Sequence, residues 1–327
     1  MAKGPVAYWR LGENAGPIAA DASGDGHDGT YLGNPTLGQV GAIMNDADTA
    51  VQLNGPDPGD YVEIADSVDF SQPTSGLGLT VEVWMRPDAL TFPGQTADPY
   101  VHWLGKGTPG QYEWGLRLYS RDTTRPNRIS AYIWNPGHPQ SGEGAGAYFQ
   151  DELVPGEWIH IVAIYEPGDK DSDPPAGVHI YKNGVHRLGP PSKGTLYSTY
   201  SIVPAHGMAP LRLGTRDLAS FLIGALDEVA IYPRVLAPDE IYWRITTPPL
   251  RERYHPHRRS VAPNNLFLTL PVLNGKCNCL FTEDFNRKQI GPQLKVHDFQ
   301  TENTEFTPLL CLIPSDTFIE KLRDIFP

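Results

Sequence analysis

Cysteine is scarce in this chain of 327 residues. There are three, Cys277, Cys279 and Cys311, and residues 1–249 have none. An odd number excludes a complete disulfide framework, so the long first part must be held by its own core. Long apolar runs are missing as well. No stretch of 18 apolar residues occurs, and nothing reads as a membrane-spanning helix. The opening MAKGPVAYW lacks the apolar core of a secretory signal. The expectation is synthesis in the cytosol and release by lysis, as virus particles leave bacteria. Basic residues are also short: 26 Lys and Arg stand against 38 Asp and Glu, a net charge of −12. The deficit is uneven. Residues 1–249 carry 16 against 29, or −13, and residues 250–327 carry 10 against 9, or +1. An acidic first part argues against nucleic-acid binding, which needs a basic face to displace counterions. It suits a cation site, a neutral glycan, or solubility alone.

Turn formers and aromatics are plentiful. Gly (33) and Pro (32) make up about a fifth of the chain, against a usual share of roughly 12%, and they sit between apolar runs. Trp (7), Tyr (15) and Phe (11) supply a sizeable core. Val6–Leu11, Ala50–Leu53, Asp60–Ile64, Leu79–Arg86, Tyr100–Gly105, Glu113–Tyr119 and Arg128–Trp134 read as strands. Trp158–Tyr165 is almost wholly apolar, as a central strand between two covered faces must be. Asn183-Gly184, between His179–Lys182 and Val185–Leu188, predicts a type I′ hairpin. Leu211–Gly214 and Gly224–Tyr232 complete the strands, and residues 237–242 read as one helical turn. Strands at this spacing, without long helices, argue for an all-β sandwich. Residues 248–263 form a linker rich in Pro and Arg. Residues 264–327 form a small α+β or irregular segment, with strands at Asn264–Leu273 and Lys276–Phe281. It ends in the one strong helix of the sequence, Ser315–Phe326, whose Thr317-x-x-Glu320 is a capping box.

Five segments carry a resemblance: VAYWRLGENAGPIAADASGDGHDGTY (Val6–Tyr31), LTVEVWMRPD (Leu79–Asp88), GEWIHIVAIYEPG (Gly156–Gly168), VHIYKNGVHRLG (Val178–Gly189) and GALDEVAIYPRVLAPDEI (Gly224–Ile241). In this order and spacing, residues 4–246 resemble the LamG-like jelly rolls of the concanavalin A-like lectin/glucanase superfamily. The resemblance implies a two-sheet antiparallel jelly-roll sandwich over residues 1–247. Such a sandwich commonly holds one structural Ca²⁺ and binds or displays rather than catalyses.

By motif match, the resemblance makes Asp21 of the DASGDGHDG loop and Asp227 of the DEV segment the side-chain ligands of that ion, with Glu228 a weaker choice. Backbone carbonyls of Asp25 and His27 would add to them, since calcium takes 6–8 oxygens. The competing reading is that Asp21 caps a turn and Asp227 hydrogen-bonds to backbone. For glycan binding, which uses stacked aromatics, Tyr100, Trp103, Trp114, Tyr119, Tyr132 and Trp134 cluster in the middle of the sequence, and Trp103, Trp114, Tyr119 and Trp134 are the candidates; against this, most aromatics in a sandwich fill its core. No E-x-D-x-x-E triplet stands on a strand, and no nucleophile motif occurs. His160 reads as a packed core histidine. Cys277-x-Cys279, Cys311 and His297 read as free thiols and a histidine rather than a zinc site, because C-x-C is an unusual spacing.

These readings point to a non-catalytic protein of a bacteriophage particle, a minor tail, fibre or capsid-decoration component, because an opening such as VAYWRLGE looks like jelly rolls appended to phage tail proteins. It would be displayed on the virion to adhere to a host-surface glycan. Residues 264–327 would attach it to other virion proteins or oligomerise it, since about 64 residues rarely bury such a helix alone. The alternative is a carbohydrate-binding module of a secreted bacterial protein. A glycan-cleaving enzyme comes third.

Overall fold

The computed structural model describes residues 4–71, 78–92, 99–108, 111–134, 144–166, 177–187, 206–246, 268–269 and 280–281. In chain order the strands are β1 (Ala7–Trp9), β2 (Ile18–Ala19), β3 (Gly29–Leu32), β4 (Thr36–Val40), β5 (Thr49–Asn54), β6 (Tyr61–Ile64), β7 (Leu79–Pro87) and β8 (Tyr100–Lys106). They continue with β9 (Trp114–Tyr119), β10 (Ile129–Trp134), β11 (Gly144–Phe149), β12 (Ile159–Glu166), β13 (Gly177–Lys182), β14 (Val185–Arg187), β15 (Leu211–Leu213) and β16 (Ile223–Tyr232). Helix α1 (Pro238–Thr246) follows, where one turn is expected from the sequence. Arg234 at its entrance pairs with Glu240 at 2.7 Å, and Ala237 N–H donates to the same carboxylate at 3.1 Å.

The strands form two antiparallel eight-stranded sheets. The first runs β14-β13-β12-β7-β16-β5-β4, with β1 also on β16; the second runs β11-β10-β9-β8-β15-β6-β3-β2. This is the expected jelly-roll sandwich. Successive side chains of a strand point to opposite faces, and the inward set of both sheets makes one core. Val81, Val83 and Met85 of β7 meet Trp103 of β8, Trp114, Leu116 and Leu118 of β9, and Ile129 and Ala131 of β10 in it. The Asn183-Gly184 turn has φ of 50° and 76°, the conformation a type I′ hairpin requires.

The first sheet has a second apolar layer on its outer face. Tyr8, Val162, Ile164, Tyr181, Ala230 and Tyr232 pack there with Leu236 and Ile241 of the α1 segment. Glu82 lies in this layer. It accepts from the Tyr232 hydroxyl at 2.9 Å and Arg244 Nη1 at 3.1 Å, and its other oxygen meets His160 Nε2 at 2.9 Å. Burial pushes the Glu82 carboxyl up, but the His160 hydrogen bond and the Arg244 charge outweigh it and hold it below the usual range. His160 is thus a packed histidine tied to a carboxylate.

Chain contacts divide the molecule into Met1–His255 and Pro256–Pro327. In the second unit the described residues form one short antiparallel pair, β17 (Leu268–Thr269) and β18 (Leu280–Phe281). The expected linker, the expected helix Ser315–Phe326, and Cys277, Cys279, His297 and Cys311 lie outside the described residues.

Candidate functional site

Asp21 and Asp227 serve different networks. Asp21 pairs through its backbone with Trp9 in an isolated bridge beside β1. Its Oδ1 accepts from Tyr8 N–H and Ser23 N–H, both at 2.9 Å. Its Oδ2 accepts from Ser23 Oγ–H at 2.8 Å and His27 N–H at 2.9 Å. Four donors therefore fill both oxygens, and Asp21 fastens the Gly-rich loop. The His27 carbonyl accepts from Trp9 Nε1 at 2.7 Å, and Asp25 is exposed, its N–H donating to Ser23 Oγ at 3.2 Å.

Asp227 sits at a β-bulge in β16, where the register with β7 shifts between Asp227 and Ala230 and Glu228 has φ of 51°. Its Oδ2 accepts from Ala42 N–H at 2.7 Å, whereas Oδ1 is buried without a partner. Gly41 makes the approach possible: a Cβ there would lie 2.9 Å from the Asp48 carbonyl and 3.0 Å from Asp227 Oδ2. Burial raises Asp227 to about 7, with the Asp48 charge adding to the rise and Ala42 N–H and Arg10 opposing it. Burial also raises Glu228 to about 8. Arg10 is the cation of this corner, with Glu228 at 3.2 Å, Asp46 at 3.3 Å and Asp48 also in contact.

Asp21 and Asp227 share no hydrogen-bond partner, and the described residues contain no group of three His, Cys, Asp or Glu arranged to hold a metal. An Asp21 ringed by N–H and O–H donors presents hydrogens, not lone pairs, to an incoming ion. The ligand set implied by the resemblance does not fit these residues as they stand.

The second sheet separates the four aromatic candidates. Trp103 and Trp114 are fully buried in the inter-sheet core. Neither has a face to offer a sugar, so both are corrected to core residues. Tyr119 and Trp134 have the opposite parity. They stand on the outer face of β9 and β10 with Arg117 and Tyr132, beside Tyr100 and His102 of β8. Tyr119 is buried at 3% exposure, and its ring centre lies 5.1 Å from that of Tyr100. Trp134 is half-buried and lies 5.2 Å from Tyr112 and 5.6 Å from Tyr132. Half-buried Tyr100, Tyr112 and Trp134 thus surround a buried polar centre.

That centre is a chain of hydrogen bonds. Asp217 Oδ2 lies 2.7 Å from His102 Nδ1, and His102 Nε2 lies 2.8 Å from the Tyr132 hydroxyl. The Tyr132 oxygen also accepts from Arg216 Nη1. Burial lowers His102 to about 4; the Asp217 hydrogen bond opposes the fall, and the Arg216 and Arg117 charges add to it. Burial works against the Asp217 anion, but His102, Ala219 N–H and Arg216 hold its carboxyl below the usual range. At neutral pH His102 is therefore neutral. Its Nδ1–H donates to Asp217, and its Nε2 accepts from Tyr132, whose hydroxyl burial keeps protonated.

The Laminin_G_3 model of the concanavalin A-like lectin/glucanases superfamily matches residues 55–242, more than half of the chain. The chain belongs to this family. Among solved structures, the binding domain of botulinum neurotoxin DC in complex with rat synaptotagmin II is similar, with a TM-score of 0.52 and 11% identity over 74% of this chain and 51% of that one. The same neurotoxin domain in complex with SialylT gives 0.51 and 12% over 74% and 51%. Domain 4 of AbnA, a GH43 extracellular arabinanase from Geobacillus stearothermophilus, in complex with arabinotriose, gives 0.47 and 18% over 74% and 98%. This chain thus covers about half of the neurotoxin chains. At such identities the likeness concerns the fold. A search of curated proteins finds no match.

This lectin-like jelly roll has site residues that local sequence reading does not find. Tyr100 and Tyr132 belong to the aromatic cluster noted in the sequence, and His102 lies within a recognised strand, but Arg216 and Asp217 arrive from a loop after β15, more than 80 residues further along the chain. No local spacing connects them. The signal that was available is strand alternation in WGLRLY: Trp114, Leu116 and Leu118 on one face, Arg117 and Tyr119 on the other.

Proposed function

We propose that the Met1–His255 unit is a non-catalytic, glycan-binding module that uses the outer face of the second sheet. The observation that carries this reading is the rim of half-buried Tyr100, Tyr112 and Trp134 around the His102–Tyr132–Arg216 network. Sugars stack on such rings, and the polar centre sets orientation. Hydrolysis by a retaining glycosidase needs two carboxylates about 5–5.5 Å apart with access to substrate. The acids here have other duties: Asp217 holds His102, Glu63 pairs with Arg212 at 2.8 Å, and Glu113 pairs with Lys106. That supports binding over cleavage.

The wider setting we infer is a bacteriophage particle that displays the module for adhesion to a host-surface glycan, with residues 264–327 as its attachment to other virion proteins. The VAYWRLGE opening and the cysteine-free sandwich support it, and so does the change of charge from −13 to +1 between residues 1–249 and 250–327. A glycan array with the full chain tests the binding role. Retention of any glycan that is lost in Trp134→Ala supports it; retention unchanged in that variant places binding on another surface. Sedimentation of the protein with particles, compared with a chain ending at residue 255, tests the attachment.

A further inference from the structure

A cation taken out of water needs an anion close by, or its burial is costly. Among the described residues four Lys or Arg side chains are buried: Lys106, Arg117, Arg212 and Arg216. Three have carboxylates. Lys106 lies against Glu113 and 2.8 Å from Asp66, Arg212 is 2.8 Å from Glu63, and Arg216 is 3.5 Å from Asp217.

Among the described residues Arg117 has only neutral partners. Its Nη1 donates to the Tyr119 hydroxyl at 3.3 Å, and its Nε is buried without a partner. Its guanidinium lies 3.7 Å from the ring centre of Tyr132 and 4.9 Å from that of Tyr100. Ring faces attract a cation but do not neutralise it. Asp217 is not free to do so, because it already serves His102, Arg216 and the Ala219 N–H. A cationic centre has thus been built into the most acidic part of the chain, ringed by the half-buried Tyr100, Tyr112 and Trp134.

We propose that Arg117 anchors an anion subsite and that the glycan taken by this face is acidic. A carboxylate or sulfate of one sugar unit meets the Arg117 guanidinium, while neighbouring rings lie along Tyr100, Tyr112 and Trp134. Arg117 stands 8% exposed, which puts the subsite at the floor of the face. A planar, always-charged guanidinium is the side chain suited to oxyanions in such a place. The inference rests on the reading that this face binds glycan, and it goes further by fixing the charge of the ligand.

The test is titration calorimetry with the full chain, using pairs of probes that differ in the anionic group alone. Oligogalacturonate is compared with its methyl ester, sialyllactose with its methyl ester, and a sulfated dextran oligomer with plain dextran. Because the charge is removed from the ligand, this part needs no variant. The expected result is that at least one acidic member binds about tenfold or more tightly than its neutral twin, the usual scale of a charge-assisted hydrogen bond. Arg117→Gln should abolish the preference, Arg117→Lys should keep part of it, and Trp134→Ala should weaken both members alike. Preference for the sulfated oligomer over the uronate and sialate probes would name sulfate as the anion; the reverse would name carboxylate. Equal binding within every pair, or tighter binding of the neutral twins, overturns the acidic-glycan inference and leaves the glycan-binding reading standing. Failure of all six probes overturns both.

Discussion

The two outer faces of the sandwich handle buried charge in opposite ways. On the first sheet, Glu82 is the one anion of a network with His160, Tyr232 and Arg244, and α1 closes over it. On the second sheet, Arg117 is buried among phenols with no carboxylate among the described residues. A face whose charges balance internally is finished; a face with an unbalanced cation is waiting for a partner. The comparison is breakable by unfolding measurements. Glu82→Gln removes the charge that meets both Arg244 and His160, and removing one partner of a buried pair costs about 3–5 kcal/mol. Arg117→Gln removes a charge whose compensation is ring contact and one hydrogen bond to the Tyr119 hydroxyl, so its cost should be about 1–2 kcal/mol. Urea unfolding of both variants gives the two numbers. Equal losses would mean that Arg117 is as fully satisfied in the free protein as Glu82, and the contrast between the faces would be false.

The second prediction separates the faces by pH. His102 of the second sheet is held down to about 4 from an ordinary value near 6.5, chiefly by burial. The unfolded chain therefore binds a proton between those values that the native state refuses. Stability from this source is fully present above about 6.5 and is lost as pH falls towards 4. Asp217, also held below its usual range, acts in the same direction at still lower pH. The loss for His102 is on the order of 2–3 kcal/mol. His102→Gln should flatten the melting temperature between pH 6.5 and 4 relative to the parent. A slope in that window as steep as the parent's would show that another group sets it.

How much of this was legible beforehand depended on whether the information was local. The alternation of Leu79–Pro87, the apolar run of Ile159–Glu166 and the Asn183-Gly184 turn are local, and each was recognisable. So was the family, from five spaced segments. Trp103 and Trp114 were grouped with Tyr119 and Trp134 by residue type, yet their parity in the strand puts them in the core. β2 and β4 at the sheet edges, and β3 beside β2, are short or carry few apolar residues, and nothing marked them as strands. α1 runs nine residues rather than one turn because Leu236 and Ile241 complete the layer on the first sheet, a tertiary cause. The Asp217–His102–Tyr132 chain joins three distant segments, and only the sheet order brings them together.

The smallest effect concerns two aspartates, Asp21 beside β1 and Asp227 at the β16 bulge. Asp21 has four donors on its two oxygens, so Asp21→Asn, which replaces an acceptor by a donor, should cost about 1–2 kcal/mol at any pH above the carboxyl range. Asp227 is the reverse case. Its carboxyl is raised to about 7, and Oδ1 has no partner. A raised carboxyl contributes stability that is present below its unfolded value near 3.8 and is lost as pH rises through about 7. At pH 8 the native state must therefore carry a buried, half-satisfied anion. Asp227→Asn should remove that burden and raise stability there by about 1 kcal/mol, a rise of roughly 2–4 °C in melting temperature for a domain of this size. A bound calcium would reverse the sign, since the ion would reward the very charge that is costly without it. Melting curves of the parent and both variants at pH 8, with calcium and with chelator, decide the matter. If Asp227→Asn is the more stable protein in both, the corner holds no ion and Arg10 is its cation. If the variant falls below the parent only when calcium is present, the ligand role implied by the resemblance belongs to Asp227, and the hydrogen bonds around Asp21 must rearrange to share it.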